Sequence, residues 1–446
     1  VTRSIAGPRI RPHAGARTRV GAVVLALGAL TITGAPAAQA APGPTALRVP
    51  AALPAATSGG QCDQDVPALV TDTPPALPRL AAEQAWQQAT GAGVLVAVVD
   101  SGVDAGNAHL TEAVVPGVDL VGQAGDATGR TDTAGHGTAV AGQIAARTVP
   151  DSGVVGLAPD ATVLPVRVYY GDDDQARTAG TAPDATRIAA GIDAAVAAGA
   201  RIVNVSMSTP VDTPELRDAV RRAVEAGSLV VASAGNRNTS SDETDGPRYP
   251  AAYEGVLGVA AVDVDDQPTQ DSIHGAHVDV VAPGTNILTA FHAAGDCMLS
   301  GEEASTSFAT AYVSAAAALL AERYPQESPA QWAYRLEVTA ARAQPAERDD
   351  LVGWGIVRPD QALSFVDDGT AAGPPSPVHG RTAAVVAEPR VVDLTTGEDP
   401  LAEARARVVW PAIGATTVVL LSVLASRAVP RRRRARAARA ARPTQR

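Results

Sequence analysis

Cysteine is nearly absent: Cys62 and Cys297 are the only two in 446 residues. Two thiols allow a single pairing, and two sulfurs without clustered histidines fall short of a metal site, so no metal is expected. Lysine is missing altogether and all 36 basic residues are arginines, while Ala and Val dominate the apolar set. That pattern reflects coding bias and carries no mechanism. Aromatics make up 3%. Acidic residues are missing from both ends: residues 1–40 hold five Arg and residues 427–446 hold nine. Between them, 22 Arg face 47 acids, a surface charge that favours solubility and disfavours nucleic acid.

Long apolar runs are also scarce. Val20–Leu30 follows an Arg-dotted start and precedes Ala38-Gln39-Ala40, a small-x-small pattern that reads as a secretory signal and is short for a span. The second run, Val408–Ala425, covers roughly 27 Å as a helix, carries no charge, has Trp410 near its start and is followed by Arg431–Arg434. A core helix is the plain alternative, but nothing follows that could cover it. The positive-inside rule predicts a single-pass type I protein with its bulk outside the cytoplasm. An oxidising exterior permits a Cys62–Cys297 disulfide, which would tie the N-terminal extension to the core.

The expected organisation is a signal peptide (1–40), a Pro-rich extension (41–78), an α/β domain (79–366), a linker or stalk (367–407), a transmembrane helix (408–426) and an Arg-rich cytoplasmic tail (427–446). Within the domain, strand-like and helix-like runs alternate, which predicts a mainly parallel central sheet covered on both faces. Strands are expected at Val94–Asp100, Thr162–Val168, Arg201–Ser206, Leu229–Ser233, Val256–Val262 and Val278–Ala282. Helices are expected at Ala81–Ala89, Gly137–Arg147, Thr186–Ala198, Pro214–Ala226, Thr306–Arg323 and Ala330–Ala340.

Three segments carry chemistry. Asp100 ends an apolar strand, where an α/β sheet places its site residues, and can fix an imidazole tautomer. Asp104 is its nearest rival but lies in the following turn. His136 stands between Gly135 and Gly137 at a helix start, where the glycines are expected to leave room for a substrate backbone. Ser307 opens a long apolar helix whose first amides can hold an oxyanion, and alone it would read as an N-cap. Together, in the serial order Asp, His, Ser, they form a nucleophilic relay. Asn236, in Ser233-Ala234-Gly235-Asn236, follows a strand and can donate a side-chain amide to the same oxyanion. Asp172-Asp173-Asp174 reads as solvated loop charge rather than a calcium site.

Residues 79–366 resemble the subtilisin-family serine endopeptidases, and more narrowly the mycosins, the membrane-anchored subtilisins of type VII secretion systems. The resemblance rests on Gly93–Asp104, Gly135–Gly142, Gly156–Ala161, Tyr249-Pro250-Ala251, Ala282-Pro283-Gly284 and Ser305–Ala309. It implies a subtilisin-like three-layer fold, Asp100, His136 and Ser307 as a triad, Asn236 as oxyanion donor, and no cofactor. Ser206, Met207 and Ser208 would lie along the substrate backbone, and Ser233, Ala234 and Gly235 are further expected substrate-binding residues. The partners implied are a protein or peptide substrate, the membrane and type VII secretion membrane components. The competing reading keeps the fold but makes the protein a scaffold of that machinery. Ser305, Ser208 and Ala311 depart from the family's usual Gly, Gly and Pro, and Ser305 is expected to restrict a turn or crowd the cleft.

Overall fold

The computed structural model describes Cys62 and residues 68–122, 125–239, 243–293, 295–380 and 401–439. The expected signal peptide, most of the extension, residues 381–400 of the stalk and the last seven residues lie outside them. Seven strands form one sheet: β1 Leu95–Asp100, β2 Val118–Asp119, β3 Thr162–Arg167, β4 Ile202–Val205, β5 Leu229–Ser233, β6 Val256–Val262 and β7 Val280–Pro283. Their order is β2-β3-β1-β4-β5-β6-β7, and every pairing is parallel.

The helices are α1 Ala76–Arg79, α2 Ala82–Trp86, α3 His136–Ala145, α4 Asp174–Ala179, α5 Ala185–Ala197, α6 Pro214–Glu225, α7 Thr306–Arg323, α8 Pro329–Val338, α9 Pro359–Ser364 and α10 Ala402–Arg439. Alternate strand residues explain the layering. Val96, Val98, Ile202, Val231 and Val259 pack with α3 and α7, while Ala97, Val99, Val203, Val205 and Val230 pack with α5 and α6. Both faces are therefore covered, and the strands are apolar without a break because each side chain, whichever way it points, leaves water. Full burial of a Val or Ile contributes roughly 1.5–3 kcal/mol, so these strands supply much of what holds the three layers.

The termini of the helices follow their sequence. Thr213 caps α6 through Leu216 N with Pro214 next to it, and Asp184 caps α5 through Arg187 N at 2.9 Å. The helix expected at Ala81–Ala89 is present but shorter, as α2, and Ala81, in a left-handed conformation with φ 52°, separates it from the unexpected turn α1. Three strands escaped expectation: the two-residue β2, and β8 Ile287–Phe291 and β9 Gly295–Leu299, which form a separate antiparallel hairpin. This hairpin backs α3 at close range. A Cβ on Gly142 would stand 2.5 Å from Thr289 Oγ1 and 2.9 Å from Ala290 N, so only glycine lets the helix lie there.

The described end of the extension joins the hairpin. Ala68 bridges Gly295 in parallel, and Cys62 and Cys297 form a disulfide with Cα atoms 5.8 Å apart. Beside it, His109 and Asp296 make an ion pair at 2.9 Å with both side chains fully buried. The other Asp296 oxygen accepts from Val70 N at 2.9 Å and Ser152 Oγ at 2.6 Å. Residues 367–380 meet the domain where Arg342 Nη2 donates to Ala372 O at 3.4 Å, and within the segment Ser376 Oγ donates to Asp367 Oδ2 at 2.5 Å. In α10, Glu403–Arg427 contains an 18-residue stretch of mean hydropathy 2.1, and among the described residues it is the one helix long and apolar enough to cross a membrane.

Candidate active site

The carboxyl ends of four adjacent strands meet one rim. Reading β3-β1-β4-β5 across the sheet, these ends deliver Tyr169, Asp100, Ser206 and Asn236, and the first turn of α7 delivers Ser307 to the same place. A cleft of about 600 Å³ runs along it, lined by His136, Tyr169, Ser206, Met207, Ser208, Ser233, Gly235, Asn236 and Ser307 among others.

Asp100 is fully buried and its Oδ1 gathers three donors: Ser101 N at 2.8 Å, Tyr169 OH at 2.9 Å and His136 Nδ1 at 2.8 Å. Its Oδ2 has no partner among the described residues. Burial disfavours a charge on His136, but the pull of Asp100 and the hydrogen bond to it prevail and set the imidazole pKa above its usual value. An imidazole held through Nδ1 presents Nε2 as the base. The ring also stacks on Phe308, with centroids 5.5 Å apart.

The start of α3 is held by Asp132, whose Oδ2 accepts from Thr138 N at 2.9 Å and whose Oδ1 accepts from Gly135 N at 2.9 Å. Packing alone requires both flanking glycines. A Cβ at Gly135 would meet Phe291 at 2.6 Å, and one at Gly137 would meet Gly102 O at 2.1 Å.

Ser307 and Ser206 are reciprocally bonded: Ser307 Oγ donates to Ser206 O at 2.9 Å, and Ser206 Oγ donates to Ser307 O at 3.0 Å. Asn204 and Ser314, neither expected from sequence, extend this seam through Asn204 Nδ2 to Ser206 Oγ and Ser314 Oγ to Asn204 Oδ1, each 2.9 Å. Asn236 Oδ1 accepts from Thr306 N at 2.8 Å and Thr306 Oγ1 at 2.9 Å, which leaves its Nδ2 hydrogens for a ligand in the cleft. Ser233 Oγ lies 2.6 Å from Thr306 Oγ1, fixing the same turn.

Two expectations need correction. Ala234 does not line the cleft; it is fully buried with Ala260, Val262, Val278 and Val281, because alternation along the chain sends it to the opposite face from Ser233 and Gly235. Ser305 brings no backbone strain, since its φ of -116° and ψ of 121° are ordinary extended values. The close approach falls on Gly284, where a Cβ would meet Ser305 O at 2.8 Å. Asp104 is engaged locally with Gly106 N at 2.9 Å and makes no contact with His136. Among the described residues no group of three or more His, Cys, Asp or Glu could hold a metal ion. Tyr169 was missed; its one signal is a Tyr-Tyr pair just beyond a strand.

Comparison with known proteins identifies the family and the fold. Residues 91–355 match the model of the subtilase family. Mycosin-1 of Mycobacterium tuberculosis is 36% identical over 399 residues, covering 79% of this chain and 84% of that protein, and thermitase of Thermoactinomyces vulgaris is 37% identical over 245 residues, covering 55% and 81%. The crystal structure of MycP1 from Mycobacterium smegmatis superposes with a TM-score of 0.60 at 30% identity, covering 71% of this chain and 92% of that one. The MycP3 protease of the type VII (ESX-3) secretion system gives 0.59 at 31% identity, covering 67% and 92%. The central sheet and its helices have the subtilisin-like arrangement, and the chain belongs to the subtilase family of serine-type endopeptidases, as a relative of the mycosins.

Proposed function

We propose that this protein is a membrane-anchored, extracytoplasmic endopeptidase that cleaves peptide bonds through Asp100, His136 and Ser307, with Asn236 holding the oxyanion, in association with a type VII secretion complex. The 2.8 Å contact between His136 Nδ1 and Asp100 Oδ1, in a cleft that Ser307 and Asn236 also line, carries the reading. A substrate strand lies along Ser206–Ser208 and bonds through its main chain. Rotation of the Ser307 side chain exchanges the Ser206 carbonyl for His136 Nε2, which takes the hydroxyl proton as Oγ attacks the scissile carbonyl. The oxyanion is met by Asn236 Nδ2 and the Ser307 amide. His136 then protonates the leaving amine, and a water repeats the sequence to release the acyl group.

Glu403–Arg427 supplies the anchor, and the arginines beyond it keep the tail cytoplasmic. The mycosin relationship supports type VII membrane components as partners. A fluorophosphonate should label Ser307 in the parent and fail to label His136→Ala; equal labelling of the two excludes a coupled pair. A second reading, a scaffold of the secretion complex, draws on the resting bond between Ser307 Oγ and Ser206 O. Under that reading Ser307→Ala supports secretion and processing as well as the parent, whereas the protease reading requires processing to stop.

A further inference from the structure

We propose that Tyr169 is a positioning residue of the relay, fixing the single carboxylate oxygen that orients His136. The proposal rests on the catalytic assignment of Asp100, His136 and Ser307 above. Tyr169 lies two residues past β3, is 6% exposed, and lines the cleft. Its hydroxyl donates to Asp100 Oδ1 at 2.9 Å and stands 3.2 Å from His136 Nδ1, so it touches both members of the pair at their point of contact.

The surrounding chain holds the ring in place. Arg167 Nε binds Ser101 O at 3.0 Å, Val168 N binds Asp100 O at 2.8 Å, and Tyr170 N binds Thr181 O at 2.9 Å. The segment that carries Tyr169 is therefore tied to the segment that carries Asp100 on one side and to the cleft loop on the other. Because Asp100 Oδ2 is partnerless, every restraint on the carboxylate converges on Oδ1, and Tyr169 supplies one of its three donors.

Two effects follow from the hydroxyl. It limits rotation of the carboxylate, which otherwise exchanges its two oxygens and releases the imidazole from the productive tautomer. It also draws charge from Oδ1, so that without it the carboxylate becomes a stronger partner for the imidazolium and His136 holds its proton to higher pH. Asp132 and Asp172 are the other carboxylates that act on His136, and neither is altered by the substitution.

The test uses the full chain in detergent and follows fluorophosphonate labelling of Ser307 from pH 5 to 9. In Tyr169→Phe the saturating labelling rate should fall about tenfold, a typical loss for one hydrogen bond to a charged group. Half-saturation should stay within about twofold, and the midpoint of the rise should move up by about half a pH unit to one unit. Tyr169→Leu, which also removes the ring, should reproduce the rate and pH effects, and a melting curve checks that each variant is folded. A folded Phe variant with the parent's rate and midpoint overturns the proposal and leaves Tyr169 as a lining of the cleft. Absence of Ser307 labelling in the parent overturns the catalytic assignment instead, so the two failures are distinct.

Discussion

Asp296 offers the sharpest test of how the extension is fastened to the domain. One of its oxygens faces His109 Nε2 at 2.9 Å and the other accepts from Val70 N and Ser152 Oγ, with no solvent on either side chain of the ion pair. Asp296→Ala strands a buried imidazolium, a backbone amide and a hydroxyl together, and removal of one partner from a buried pair costs about 3–5 kcal/mol. Asp296→Asn is milder: its oxygen can still serve Val70 and Ser152, and its NH2 can face a neutral His109 that donates through Nδ1 to Arg147 O, now 2.6 Å away. A loss of about 1–2 kcal/mol is expected for this exchange.

The pH dependence has a definite sign. Burial opposes the His109 charge, but Asp296 and the Arg147 carbonyl outweigh it and raise the pKa above 6.5. The stability this adds is complete below the unfolded value and is lost as pH rises through the raised one. For Asp296, burial is outweighed by His109, Ser152 and Val70, and the pKa lies below 3.8, so its share is complete above that value and is lost as pH falls through the lowered one. Urea unfolding at several pH values and hydrogen exchange at Val70 measure both effects. His136 adds its own decline on the alkaline side, so the informative quantity is the difference from parent. The reasoning fails if Asp296→Ala stays within about 1 kcal/mol of parent, or if Asp296→Asn keeps the parent's full slope between pH 6 and 8.

Two other outcomes bear on the proposed function. Asn236→Ala should lower kcat by about 10²–10³ with KM little changed, because the lost donor acts on the developing charge; a loss confined to KM would reassign Asn236 to substrate binding. Removal of residues 402–446 should move the protein from the membrane fraction into the soluble fraction after alkaline carbonate extraction, and retention in the membrane would mean that another segment anchors it.

Local chemistry decided what could be read in advance. Six of the seven strands of the main sheet were legible because a doubly covered parallel sheet leaves nearly unbroken Val, Ile and Ala runs, as in Val96–Val99 and Val256–Val262. The candidates Asp100, His136, Ser307 and Asn236 stood out because each sits in a short motif shaped by its own turn, and the structure brings them to one cleft. β2 was too brief to register, and the β8–β9 hairpin hides in a stretch interrupted by Gly295 and mixed with polar residues. Ala81 shows no sequence sign of its left-handed backbone. Asn204, Ser314 and Tyr169 matter through partners far along the chain, so their roles emerge only when the strands are set side by side.

Glu322 sits at the far end of α7, and its Oε2 receives Thr90 N at 2.7 Å, Gly91 N at 2.6 Å and Ala92 N at 3.1 Å. The loop it grips feeds β1, whose last residue is Asp100, while the opposite end of the same helix holds Ser307. About 22 Å of rigid helix thus acts as a strut that sets the spacing between nucleophile and carboxylate. A disturbance at that distant grip would be transmitted along the strut to the reacting groups as a change of alignment, even with every side chain in the cleft intact.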